Sequence, residues 1–278
     1  GYRIPYRATP FVKSSITLRR WQKQCVQQAL RQYHQGKKHF LCLATPGAGK
    51  TLMAAEIAKQ LLDQKSIDFV LCFSPSKMVA KDFQITLEKH LRNRLDGAMG
   101  SIGNSYTYQG MQSIDPEIWD LFESYNVLVI FDEIHHCSGT EEEGANVWGQ
   151  TILNRINQKA AFSLALSGTP WRSDNLPIVL SGYNDSRISC DFVYGLSESI
   201  KDNVCRRPKI IAIDNDKIIY QYHDGDCQIF KCFSDLLNET TIPYQRLIET
   251  RSFNEQMLKV ADKKLTAIRR DVPNAGGL

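Results

Sequence analysis

The sequence predicts an α/β fold: a mostly parallel sheet flanked by helices, followed by a small α+β C-terminal extension. Three observations lead there. Through residue 167 of the 278-residue chain, short apolar, β-branched runs alternate with helical patterns. One such run leads straight into a glycine-rich turn that opens a helix. Another ends in two adjacent acids, at the strand end where open α/β sheets bind ligands.

The elements follow in order. Helical patterns are expected over 19–35, 50–64, 77–93 and 144–157, and strands over 39–44 (HFLCLA), 67–74 (IDFVLCFS), 127–131 (VLVIF) and 161–167 (AFSLALS). The strand runs are nearly all apolar, as in parallel strands covered on both faces. After about residue 200 the pattern changes. Segments 210–214, 217–222 and 228–233 read as short antiparallel strands, with Asn215-Asp216 and Asp224-Gly225 as turns. A last helix is expected over 252–270, where Met257, Val260, Ala261, Leu265 and Ile268 recur at helical spacing before Pro273. The expected division is 1–200 and 201–278.

Composition narrows the class. Hydrophobic residues make up 42% and charged residues 23%, which excludes disorder of the whole chain. No apolar run approaches the roughly 20 residues of a membrane-spanning helix, so no membrane partner is expected. The opening GYRIPYRATPF lacks a basic-then-apolar leader pattern. A net charge of +4 permits a polyanionic partner without requiring one. None of the eight cysteines forms a C-x-x-C pair, which argues against zinc and disulfides and for a reduced, cytoplasmic compartment. Cys42, Cys72 and Cys190 sit in apolar runs as small hydrophobes. In His135-His136-Cys137, adjacent side chains rarely converge on one ion.

Residues 44–51, ATPGAGKT, have the context a phosphate loop needs, between strand and helix. Pro46, Gly47, Ala48 and Gly49 would wrap phosphate oxygens. Lys50 would reach the β- and γ-phosphates of ATP, and the Thr51 hydroxyl would ligate Mg²⁺. Ala44 replaces the first glycine of the usual pattern. At the end of VLVIFDE, Asp132 would hold Mg²⁺ and Glu133 would deprotonate the attacking water.

DEIH at 132–135 resembles the DExH box of superfamily 2 helicases and translocases, and further segments resemble the family's motifs in order. The resemblance implies a RecA-like motor domain. It implies that Gln22 of LRRWQ reads adenine. FSPSKMVAKDF (73–83) and TYQGM (107–111) resemble segments touching nucleic-acid backbone, here through Pro75, Ser76, Thr107, Gln109 and Gly110. LSGTPWR (166–172) resembles the segment coupling hydrolysis to movement, through Ser167 and Thr169, with His135 as a bridge to it. The SGTPWR form resembles DNA motors of restriction and phage type. DNA is therefore the expected partner over RNA.

Plain packing is the simpler reading for Trp171 and Tyr108, a solvated face for Arg19 and Arg20, and a loop tip for Glu141–Glu143, while Arg172 reads equally as facing a partner domain or as a surface ion pair. No Q-x-x-G-R-x-x-R segment is found. Family members supply that arginine from a second RecA-like domain, and PNAGGL (273–278) resembles the lead into one. Arginine fingers contribute about 10³–10⁵ in rate, so the chain alone is expected to hydrolyse ATP weakly.

Overall fold

The computed structural model describes residues 17–137, 146–169, 177–184, 187–207, 217–221, 225–240 and 249–271. Trp171, Arg172, Glu141–Glu143, the strand expected at 210–214, the turn at Asn215-Asp216 and the tail 273–278 lie outside them. The chain falls into two compact units, 1–207 and 208–278.

In the first unit the elements run α1 (Arg20–His34), β1 (His39–Ala44), α2 (Lys50–Asp63), β2 (Phe69–Ser74), α3 (Lys77–Leu91), β3 (Gly103–Thr107), α4 (Pro116–Ser124), β4 (Val127–Asp132), α5 (Val147–Thr151) and β5 (Phe162–Ser167). A short hairpin, β6 (Gly182–Asn184) and β7 (Arg187–Ser189), precedes β8 (Phe192–Tyr194) and α6 (Leu196–Lys201). Six strands form one sheet in the order β3-β2-β4-β5-β1-β8, every pairing parallel. This is the arrangement of a RecA-like domain.

Alternation along the strands builds two cores. Phe40, Cys42, Val70, Cys72, Leu128, Ile130, Leu164 and Leu166 share one cluster with α1, α2 and α3 residues. Leu41, Leu71, Phe73, Val127, Val129, Phe131 and Ala165 point to the other, with Phe122 of α4 and Ile152. Burial on both faces explains the unbroken apolar runs. At the outer end, Trp21 of α1 stacks on Tyr194 of β8 at 4.8 Å and 11°.

Several expectations need correction. β2 begins at Phe69, since Asp68 spends its carboxylate on the Asn126 amide. The helix expected over 144–157 is, in its described part, one α-helical stretch ending at Thr151 and a wider π turn over Ile152–Ile156. Strands β3 and β8 and helix α4 were not expected at all. β3 is an edge strand, GNSYT, with every residue only half-buried, so it carries no apolar run. β8 has only three residues. Two cysteines without motif spacing nevertheless meet: the Cys25 and Cys42 sulfurs lie 3.6 Å apart as free thiols between α1 and β1.

In the second unit, β9 (Ile218–Gln221) and β10 (Cys227–Phe230) pair antiparallel, as the alternation predicts, but β10 stops short of the expected 233 because Phe233 opens a helix. Phe230 and Leu236 of α7 (Phe233–Glu239) are buried. The last helix, α8, runs Arg251–Asp271. No helix among the described residues is long and apolar enough to cross a membrane.

Candidate nucleotide and nucleic-acid site

Strand order decides which loops meet. β5 lies between β1 and β4, so the loops after β1, β5 and β4 stand side by side at the sheet's carboxyl edge. These loops carry ATPGAGKT, Ser167-Gly168-Thr169 and DEIH. The loops after β2 and β3, with Pro75-Ser76 and Thr107–Gly110, occupy the far side of β4. The sequence-predicted residues thus sort into two halves of one edge.

In the first half, side chains of separate motifs are joined. Lys50, the first residue of α2, points its Nζ at Glu133 Oε1 at 2.9 Å and donates to the Ala44 carbonyl at 3.3 Å. The Gly168 amide donates to the second oxygen, Glu133 Oε2, at 3.0 Å. His135 Nδ1 lies 3.0 Å from Ser167 Oγ and 3.4 Å from Glu133 Oε2. Ser167 Oγ donates to the Thr169 carbonyl and accepts from the Thr169 amide. With the serine proton committed to Thr169, His135 is the donor at Nδ1.

Glu133 holds this arrangement with a left-handed backbone, φ 52°. A non-glycine residue there costs on the order of 1–3 kcal/mol and persists only where its surroundings impose it. The bonds to Lys50 and Gly168 provide that. Gly168 itself is packed tight: a Cβ would come within 2.9 Å of Pro46 and 3.3 Å of Lys50 Nζ.

The two acids are driven apart electrostatically. Burial, then the Glu133 charge, raises the Asp132 carboxyl to about 6. Burial also works against the Glu133 charge, but the Gly168 amide and Lys50 outweigh it and hold that carboxyl below its usual range.

The phosphate loop is clasped from α1. Gln22 is buried, donates to the Gly49 carbonyl at 2.8 Å and accepts from the Arg19 amide at 2.7 Å. Arg19 is more than a solvated cation, because its guanidinium donates to the Ala48 carbonyl at 2.7 Å. The spacing Arg19-x-x-Gln22, a helix N-cap and its third residue, was the available signal. Two more ties were not legible. The Thr45 amide donates to the Tyr194 carbonyl at 3.1 Å, and the Cys205 thiol lies 3.5 Å from the Pro46 carbonyl.

The donor set fits a magnesium nucleotide. Gly47 and Gly49 adopt left-handed φ values of 76° and 97°, which curl the loop ahead of a helix N-terminus. A Cβ on Gly49 would also meet Gln22 Nε2 at 2.9 Å. A threonine hydroxyl and a buried carboxylate are the hard oxygen donors that Mg²⁺ prefers.

In the second half, Ser76 is exposed and caps α3, its Oγ accepting from the Val79 amide at 3.4 Å. Thr107 Oγ1 accepts from the Gly110 amide at 3.0 Å, and Gln109 is exposed. Both hydroxyls keep a proton to donate. Ser74, which belongs to the same segment, is fully buried and cannot touch a backbone. Tyr108 is buried too, as the packing reading expects. It stacks on Trp148 at 5.8 Å, and its hydroxyl donates to the Asp132 carbonyl at 2.8 Å.

Relatives include an uncharacterized protein of Mycobacterium tuberculosis, 28% identical over 94% of this chain and 44% of its own length. An uncharacterized protein of Mycobacterium leprae is 27% identical over 96% of this chain and 46% of its own. The chain thus spans under half the length of these relatives. Similar solved structures include a nuclease-deletion mutant of the Type ISP restriction-modification enzyme LlaGI with a DNA substrate mimic. It is 16% identical, with TM-score 0.45, over 68% of this chain and 21% of that one. The Sulfolobus solfataricus SWI2/SNF2 ATPase core with dsDNA is 18% identical, with TM-score 0.45, over 55% of this chain and 32% of that one. The family model for the res subunit of Type III restriction enzymes matches residues 15–172, more than half of the chain. The ordered motifs, the parallel sheet and this match agree: the chain belongs to the Type III restriction enzyme res subunit family, a superfamily 2 helicase-like RecA fold.

Proposed function

We propose that this chain is the ATP-hydrolysing motor domain of a DNA translocase. The observation that carries the reading is the Glu133 carboxylate, held at 2.9 Å by Lys50 and at 3.0 Å by the Gly168 amide. Three segments far apart in sequence converge there on one acid, as a hydrolytic site requires and a plain anion-binding turn does not.

The roles follow from chemistry. Pro46 to Gly49 would cradle the phosphates, Lys50 would hold the β- and γ-phosphate oxygens, and Gln22 would face the adenine side. Thr51 and Asp132 would hold Mg²⁺, which neutralises charge on the transferring phosphate when bound. Glu133 acts as base toward water. While Lys50 is its partner, the carboxylate is a weak base. Once Lys50 turns to phosphate oxygens, Glu133 loses that cation and its proton affinity rises. His135, Ser167 and Thr169 link this site to the loop after β5.

Pro75, Ser76, Thr107, Gln109 and Gly110 would bind nucleic-acid backbone, which gives sequence-independent, salt-sensitive affinity. Membership in a restriction-enzyme family supports DNA over RNA. The second unit would serve as a linker toward a second RecA-like domain supplying an arginine finger. Lys50→Ala should abolish ATP binding in a fluorescence titration, whereas Glu133→Gln should bind ATP and not hydrolyse it. A Lys50→Ala variant with wild-type ATP affinity contradicts the assignment. Competition among single-stranded DNA, duplex DNA and RNA tests the substrate class, and triplex displacement beside strand displacement separates tracking from unwinding.

A further inference from the structure

The two halves of the carboxyl edge are separated by strand order, yet one side chain bridges them. Tyr108 follows β3 at the sheet's outer edge. Its amide donates to the Ser74 carbonyl at the end of β2, at 3.0 Å. Its side chain then passes to the next strand in the sheet, where the hydroxyl donates to the backbone carbonyl of Asp132 at the end of β4, at 2.8 Å. The residue thereby ties the ends of three adjacent strands together.

Its setting makes the bridge stiff. Tyr108 is fully buried, and its ring stacks on Trp148 at 5.8 Å and 23°. On one side its chain neighbours are Thr107 and Gln109, both at least partly exposed. On the other, the carbonyl it holds belongs to the residue immediately before strained Glu133. Ser74 Oγ, on the strand end that receives the Tyr108 amide, is buried with no hydrogen-bond partner. Among the described residues this leaves one buried polar group at the junction without a partner.

We infer that Tyr108 is a positioning residue that transmits nucleic-acid binding at Thr107–Gly110 to the DEIH segment, through its hydrogen bond to the Asp132 carbonyl. The inference rests on the nucleic-acid motor reading above. A backbone bound at the loop after β3 shifts that loop, and the buried ring carries the shift across β2 to the turn holding Asp132 and Glu133. Tyr108 touches neither nucleotide nor nucleic acid. Its removal should therefore uncouple two functions without abolishing either.

The test is Tyr108→Phe in the intact protein, which keeps the ring and its stack and removes the hydroxyl. ATPase is measured with and without saturating duplex DNA, with DNA affinity by fluorescence anisotropy and the thermal midpoint alongside. The expected result is unchanged basal ATPase and DNA affinity, with DNA stimulation reduced about tenfold, within the usual range of site-to-site coupling. As a separate binding readout, the factor by which DNA changes ATP affinity, equal by linkage to the factor by which ATP changes DNA affinity, should fall toward one in the variant. Full stimulation in Tyr108→Phe overturns the inference. So does an equal loss of basal and stimulated rates, because the hydroxyl would then merely support the site. If Tyr108→Phe lacks a cooperative melting transition, Tyr108→Met, which fills similar space without a hydroxyl, is held to the same outcomes. A wild-type protein that no nucleic acid stimulates instead overturns the motor reading itself.

Discussion

At the residue scale the two acids of DEIH show how burial and local charge divide neighbouring carboxyls. Asp132 and Glu133 are neighbours in sequence, yet their proton affinities move in opposite directions. The folded Asp132 has a pKa of about 6 against an ordinary 3.8, so between those values the folded state binds more protons than the unfolded one. Its contribution to stability is therefore favourable at low pH and is lost as pH rises through about 6. Glu133 has the opposite sign: it adds stability above the unfolded carboxylate range, lost as pH falls through its depressed folded value. Asp132→Asn removes a buried charge that the fold tolerates poorly. It should raise stability by about 2 kcal/mol at pH 7–8 and by little near pH 4, read from denaturant melts. A pH-independent difference would contradict the shift. The same variant should lose Mg²⁺-dependent ATP affinity, and wild-type Mg²⁺ affinity should weaken below about pH 6 as protons compete.

Elements place these residues, and here sequence and structure part company in instructive ways. The four strands covered on both faces were legible because burial demands apolar side chains throughout. The segments ATPGAGKT and DEIH stood out in the sequence as particular residues at fixed spacing, and the structure brings them together at one sheet edge. β3 was not legible, since an edge strand of half-buried polar residues leaves no pattern. The clasp of Arg19 and Gln22 on Ala48 and Gly49 was not legible: the motif marked Gln22 as an adenine reader, and Arg19 looked like one more surface cation. Tyr108's reach to Asp132 depends on strand order, which no local pattern encodes. Gly49→Ala should weaken ATP binding at least tenfold, a 1.4 kcal/mol effect, because its Cβ would meet Gln22 Nε2 at 2.9 Å in a left-handed backbone. Isothermal titration checks it, and wild-type affinity would contradict the clasp. Trp21→Ala removes a ring that is 2% exposed and stacked on Tyr194. Chemical denaturation should show a loss of about 3–5 kcal/mol.

At the scale of the whole molecule, the sheet edge is one surface with two kinds of loop. Strand order β3-β2-β4-β5-β1 puts backbone-binding candidates at one end and the phosphate loop at the other, with DEIH between them. On the motor reading proposed above, the residues in the middle would join the nucleotide half to the nucleic-acid half. Backbone contact predicts salt-sensitive, sequence-independent binding: DNA affinity should fall steeply from low to physiological salt and change little with base sequence. The most direct test of the motor reading is steady-state ATP hydrolysis by the intact protein, with and without duplex DNA, for wild type and Glu133→Gln. Wild type should hydrolyse faster with DNA, and Glu133→Gln should bind ATP with hydrolysis abolished under both conditions. Wild-type hydrolysis that ignores DNA, or a Glu133→Gln variant as active as wild type, would contradict it.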